Sequence, residues 1–198
     1  MKKFLFNGLL VLMVVASAAA HPVADTIPLI SSPAAIPLRD CENKTIFLRF
    51  AGGTTCMAIV FLSPECPLCQ NYTSVLNQLS DLYKDKVTLY GIIPGKSYSA
   101  ATAKKFKAAY HIRFDLLSDP DFQLTRLLKV TTTPQACLIS RGNELLYTGL
   151  IDNWAASLKV RRMMVTQHYL ASAVEAFLHH LPVDCPSTRP IGCLINTY

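Results

Sequence analysis

The spacing of apolar positions changes several times along the chain, and each change predicts an element. Met57 to Leu62 is an unbroken apolar run with β-branched and aromatic residues, the pattern of a strand buried on both faces. From Gln70 to Leu82 the period becomes helical, with Tyr72, Val75, Leu76, Leu79 and Leu82 on one stripe. Val87 to Pro94 is a second apolar strand. Ala100 to Tyr110 returns to helical spacing, with Ala103, Phe106, Lys107 and Tyr110 on one side. Phe114 to Leu117 reads as a short strand. Ser118-Asp119-Pro120 then signals a helix start, and Phe122 to Val130 completes the helix. Thr131-Thr132-Thr133-Pro134 breaks it. Ala136 to Ile139 and Glu144 to Tyr147 are the arms of a hairpin closed by Arg141-Gly142-Asn143. A polar loop follows from Asp152 to about Val165. Thr166 to His180 is a final amphipathic helix, with Tyr169, Leu170, Ala173, Val174, Phe177 and Leu178 inward. Thr45 to Phe50 adds a short strand near the start. The order of elements predicts an α/β fold with a central mixed sheet and helices on both faces.

The N-terminus follows none of these periods. Lys2 and Lys3 precede a nearly uninterrupted apolar run from Phe4 to Ala20, which ends in small residues. This is the pattern of a secretory signal peptide over residues 1–20, the alternative being an uncleaved anchor. Residues 21–40 read as an extended linker, because His21 to Pro37 holds four prolines and little periodicity. Residues 41–181 form the folded domain, and 182–198 a cysteine-containing tail. Cleavage would lower the formal net charge from +6 to +4 by removing the two lysines. The remaining chain has no dense basic cluster with interleaved aromatics, so nucleic-acid binding is not indicated. Arg161-Arg162 reads as a solvated basic spot. The expected location is periplasmic or secreted, with no stable membrane span after cleavage.

The chemistry concentrates in Ser63-Pro64-Glu65-Cys66-Pro67-Leu68-Cys69. Cys66 falls where the apolar strand ends and the helix begins. Helix-start N–H groups lack partners and carry partial positive charge, so they stabilise a thiolate and lower its pKa. Pro67 suits the first helical position. Cys69, one turn on, shares that face and can attack a mixed disulfide formed at Cys66. A structural disulfide and half of a zinc site are the alternatives, although no second ligand pair at zinc spacing is present. Seven cysteines leave at least one unpaired in a monomer, and Cys137, in an apolar strand, is the best candidate. Cys41 and Cys56 flank the first strand, with nothing in the spacing that demands pairing. Cys185 and Cys193 are close enough to close a small loop, worth about 2–3 kcal/mol if unstrained. Alternatively Cys193 reaches the active pair as an auxiliary redox group.

These motifs in this order resemble the thioredoxin fold, and more narrowly the secreted redoxins of the AhpC/TSA-like group. The resemblance runs from about Lys44 to Ile195. It rests on Phe61 to Cys69, on Asp119 through Thr133-Pro134-Gln135-Ala136, on Tyr147-Thr148-Gly149-Leu150-Ile151-Asp152-Asn153, and on the tail Thr188-Arg189-Pro190-Ile191-Gly192-Cys193-Leu194-Ile195. It implies Cys66 and Cys69 as catalytic residues. It also implies that Pro134 is a cis proline beside them and that Thr133 offers its backbone to a bound substrate chain. It implies no organic cofactor and no metal. The implied partners are protein thiols or disulfides and an upstream redox protein.

The chain departs from that pattern in three places. Val60 stands where thioredoxins bury an acid. Glu65 replaces the aromatic before the first cysteine and disfavours its thiolate. Pro67-Leu68 supplies no histidine. Thiol–disulfide oxidoreductase is therefore the reading, with a middling or reducing potential. The alternatives are a peroxiredoxin-like peroxidase and a non-catalytic binding module with a structural disulfide. For the peroxidase, Ser63 fits the pattern, Ile59 stands where a proline belongs, and Arg126 or Arg141 would have to serve the thiolate. Copper binding would need one of His111, His168, His179 or His180 aimed at the cysteines.

Overall fold

A computed structural model describes residues 35–49 and 56–196. The signal peptide expected over residues 1–20, and the expected linker up to residue 34, lie outside the described residues. The strands are β1 (Ile36–Arg39), β2 (Thr45–Leu48), β3 (Cys56–Phe61), β4 (Val87–Pro94), β5 (Asp115–Asp119), β6 (Thr132–Thr133), β7 (Gln135–Ser140), β8 (Leu145–Gly149) and β9 (Cys193–Leu194). The helices are α1 (Pro67–Leu82), α2 (Ala100–Ala109), α3 (Gln123–Leu127) and α4 (Tyr169–Leu178). Seven strands form one mixed sheet in the order β2-β1-β5-β4-β3-β7-β8, and β6 pairs with β9 in a separate two-stranded sheet.

The strand that delivers Cys66 lies inside this sheet. β3 runs parallel to β4, with Ile59 opposite Tyr90, and antiparallel to β7, with Ile59 opposite Cys137. All six of its residues are buried. Its side chains alternate between two cores, as the two-residue strand period requires. Cys56, Ala58 and Val60 join the core beneath α1, α2 and α4. Met57, Ile59 and Phe61 join Leu124 and Leu128 of the α3 segment on the other face. This is the expected mixed sheet with helices on both faces.

Several boundaries differ from the sequence reading. Ile36–Arg39, read as linker, is a strand: Ile36 and Leu38 point into the core, and β1 pairs with all of β2. Pro37 masked this two-residue alternation. A proline is tolerated here because β1 meets β5 only through Arg39 opposite Ser118, so Pro37 needs no donor on that side. Leu82 is 69% exposed, because α1 ends there and Tyr83 takes the core position instead.

α3 is shorter than expected because Phe122 (φ 55°) and Lys129 (φ 52°) are left-handed at its two ends. The fully buried Asp119 carboxylate takes up the free donors at its start, accepting from Gln123 N (2.9 Å), Thr125 N (2.8 Å) and Thr125 Oγ1 (2.7 Å). α4 starts at Tyr169 rather than Thr166, since the Asn153 side chain holds the Thr166 and Gln167 amides at 3.0 and 3.2 Å. Arg161 and Arg162 are exposed, as the sequence reading has them, and each also makes a contact on the loop after β8. Arg161 stacks over Trp154 at 5.1 Å, and Arg162 donates to the Asn153 carbonyl at 2.6 Å.

Candidate active site

Cys66 is the N-cap of α1 with extended backbone (φ −81°, ψ 116°), and Pro67 opens the helix, as the sequence predicts. The loop is fixed at both ends. Leu62 N donates to Ile92 O on β4 (2.7 Å), and Gln70 N donates to the Cys66 carbonyl (3.0 Å) as the first helical bond. Cys66 and Cys69 are both buried. The Cys66 pKa falls from 9.0 to about 5. The largest cause is the Cys69 thiol donating to Cys66; the backbone N–H groups of Cys69 and Leu68 and the Cys193 thiol add to it, together outweighing the cost of burial. Cys69 moves the opposite way, well above 9.0, because it is deeply buried and faces the Cys66 thiolate. Its sulfur accepts from Ser63 N at 3.3 Å. One thiol is thus set to ionise and the other to hold its proton.

The Thr133–Pro134 peptide is cis. Protonated Cys66 donates to the Thr133 carbonyl at 3.4 Å, so that backbone lies against the reactive sulfur. The edge at Thr131–Thr133 is already paired. β9 runs antiparallel to β6, with Cys193 opposite Thr133 and Leu194 opposite Thr132, and Ile195 N donates to Thr131 O at 2.9 Å. This register places Cys193 Sγ 3.1 Å from Cys66 Sγ. Burial and then the neighbouring Cys66 push the Cys193 thiol up to about 11.

Beside the three thiols lies a groove of about 370 Å³, lined in part by Ser63, Glu65, Tyr98 and Thr133. Tyr98 OH lies 3.0 Å from Ser63 Oγ and donates to Glu65 Oε2 at 3.3 Å. Glu65 therefore has Tyr98 as a hydrogen-bond partner at the edge of the groove. Val60 is fully buried at the position where an acid would lie beneath the pair.

The other candidates lie elsewhere. Cys185 is exposed, with its thiol donating to the Ser187 carbonyl at 3.4 Å, while Cys193 lies against Cys66. Cys137 is fully buried and pushed up to about 12 by that burial, as suits a small core residue. Arg126 stacks on Phe122 at 5.9 Å, and among the described residues no arginine or histidine lines the thiol groove. Sequence reasoning missed Tyr98. It also missed the buried bond from Tyr72 OH to Asp152 Oδ1 (2.6 Å), which ties α1 to the loop after β8. Nor did it find the tail's anchor at Thr188, whose hydroxyl meets Tyr147 OH (2.7 Å) and Leu150 N (2.8 Å). Tyr147, Leu150 and Asp152 all belong to the Tyr147-to-Asn153 run noted for its family likeness, so the signal was present without its structural meaning.

Solved structures share this architecture. A hypothetical protein from Sinorhizobium meliloti 1021 superposes with a TM-score of 0.73 at 22% identity, covering 86% of this chain and 95% of its own. An uncharacterized conserved protein from Geobacillus kaustophilus gives a TM-score of 0.73 at 21% identity, covering 87% and 93%. A secreted Mycobacterium tuberculosis disulfide oxidoreductase homologous to E. coli DsbE gives 0.53 at 17%, covering 72% and 96%. At these identities the likeness establishes the fold, which is thioredoxin-like. No curated protein matches the chain. The AhpC/TSA family model matches residues 23–151. That span carries the strand, the paired cysteines, the cis proline and the hairpin, and the chain belongs to the AhpC/TSA family.

Proposed function

We propose that the chain is an exported thiol–disulfide oxidoreductase that exchanges disulfides with protein thiols through Cys66 and Cys69. The observation that carries this reading is the pairing of an ionisable Cys66 at the start of α1 with a protonated Cys69 one turn behind it. The Cys66 thiolate attacks one sulfur of a substrate disulfide. The substrate S–S bond breaks, its other sulfur leaves as a thiolate, and a mixed disulfide forms at Cys66. Cys69 then gives up its proton and attacks Cys66 Sγ, which releases the second substrate thiol and leaves a Cys66–Cys69 disulfide. With Val60 beneath the pair, no carboxylate accepts that proton, and the departing substrate thiolate or water takes it. The run from Phe4 to Ala20 supports export, and no helix among the described residues is long and apolar enough to cross a membrane.

Reduced protein mixed with oxidised glutathione tests the reading. The wild type should close Cys66–Cys69 and release reduced glutathione, whereas Cys66→Ser should not react at the site. Unreactive wild-type Cys66 contradicts the proposal. A Cys66 that reacts with hydrogen peroxide far faster than a free thiol, yet not with disulfides, points to a peroxidase instead.

A further inference from the structure

The tail occupies the Thr133 edge, whose backbone the family resemblance implies is offered to a bound substrate chain. β9 supplies a complete strand partner to Thr131–Thr133, and it sets a cysteine directly over the reactive sulfur. Three features show that this seat is built. Thr188 is pinned at its hydroxyl by Tyr147 and Leu150, and at its backbone by Thr188 N donating to Thr148 O (3.0 Å). Gly149, at φ +141°, lets Thr188 approach: a Cβ there would lie 2.1 Å from Thr188 Oγ1. Gly192 lets the strand lie flat against the cis-proline turn, since a Cβ at this position would lie 2.1 Å from the Thr133 carbonyl oxygen. The Thr133 hydroxyl also donates to the Cys193 carbonyl at 3.5 Å.

We propose that residues 191–195 are a substrate strand carried in the same chain, and that Cys193 is a third redox cysteine which exchanges with Cys69 for the disulfide to Cys66. The proposal rests on Cys66 acting as the exchange nucleophile. The step needs no outside oxidant. Cys193 Sγ attacks Cys66 Sγ of the Cys66–Cys69 disulfide. The Cys66–Cys69 bond breaks as the Cys66–Cys193 bond forms, and the proton lost by Cys193 ends on Cys69. No electrons enter or leave the protein. In the reduced cluster the two sulfurs lie 3.1 Å apart, so joining them in a disulfide of about 2.0 Å needs roughly 1 Å of side-chain movement. In the Cys66–Cys193 form the peptide edge is covered and the disulfide is stored. A substrate dithiol must displace the tail to receive it.

The test uses the full chain as Cys69→Ser, which leaves Cys193 as the only nearby thiol. The reduced variant is treated with oxidised glutathione, and its cysteine pairing is mapped by mass spectrometry. Glutathione should not accumulate on Cys66, and a Cys66–Cys193 bond should appear. In Cys69→Ser/Cys193→Ser the glutathione adduct at Cys66 should accumulate instead. Cys69→Ser/Gly192→Val, whose tail cannot seat, should behave like that double variant. A Cys66–glutathione adduct that persists in Cys69→Ser, at the level of Cys69→Ser/Cys193→Ser, overturns the tail's role and leaves the oxidoreductase reading standing. A Cys66 that takes up no glutathione in any variant overturns that reading, and the tail's role with it.

Discussion

Cys193 faces Thr133 across the β6–β9 ladder, and Cys66 reaches the carbonyl of the same Thr133 at 3.4 Å. The reactive sulfur is thus bounded by its helix on one side and by the tail on the other. Both supply donors to a thiolate: Cys69 and Leu68 from α1, and Cys193 from β9.

The first consequence is a pH profile. Cys66 should be half-ionised near its folded value of about 5, and its alkylation by iodoacetamide should run at a nearly constant rate from neutrality upward. Cys193→Ala removes one donor and should move the midpoint upward. A wild-type midpoint near the ordinary value of 9.0 contradicts the site geometry.

The same shift links stability to pH. The folded pKa of Cys66 is depressed, so between about 5 and 9.0 the unfolded chain binds more protons than the folded one. The contribution is fully present above 9.0 and is lost as pH falls through about 5. Cys69 and Cys193 are raised, so they remain protonated in the folded state while the unfolded chain ionises, and they oppose stability above 9.0. The difference in unfolding midpoint between reduced wild type and reduced Cys66→Ser should therefore widen as pH rises from 5 towards 9. A difference that stays flat across that window would count against an ionised Cys66.

Tyr72→Phe probes how α1 is held. The variant leaves Asp152 Oδ1 with only the Trp154 amide at 2.8 Å, in a buried position. The expected cost is about 1–3 kcal/mol in urea unfolding. Unchanged stability would show that the bond does not hold the helix to the loop after β8.

Thr188→Val tests the tail anchor. It keeps the shape and removes the hydroxyl that Leu150 N donates to. Tyr147 OH keeps its bond to the Leu150 carbonyl at 2.6 Å, so the loss should be modest, about 1–2 kcal/mol. Alkylation of Cys193 should become faster as the strand loosens. Unaltered Cys193 reactivity would mean that Thr188 does not position β9.

Much of this was legible in the sequence where the pattern is continuous. The buried run of β3, the Cys66-Pro67 helix start and the hairpin all follow from local period and turn chemistry. Pro134 came from the resemblance rather than from spacing. What stayed hidden was long-range. Pro37 disguised β1 as linker, because its two-residue alternation matters only once β2 and β5 flank it. Phe122 and Lys129 shortened α3 through left-handed backbone that side-chain periodicity does not encode. The Tyr98 contact to Glu65 joins residues 33 apart in sequence, and no local pattern signals it. The tail left open both a Cys185–Cys193 loop and a reach to Cys66. The register on Thr133 sets Cys193 beside Cys66, and that register depends on Gly192, a residue with no side chain to signal it.

The most direct test of the central claim is a redox titration of the protein in graded thiol–disulfide buffers, with cysteine pairing mapped at each step. A disulfide that joins Cys66 to Cys69 or Cys193, and opens and closes reversibly with a single midpoint, is the predicted result. A Cys66 that forms no reversible disulfide at any potential would contradict it and leave the thiol cluster a structural feature.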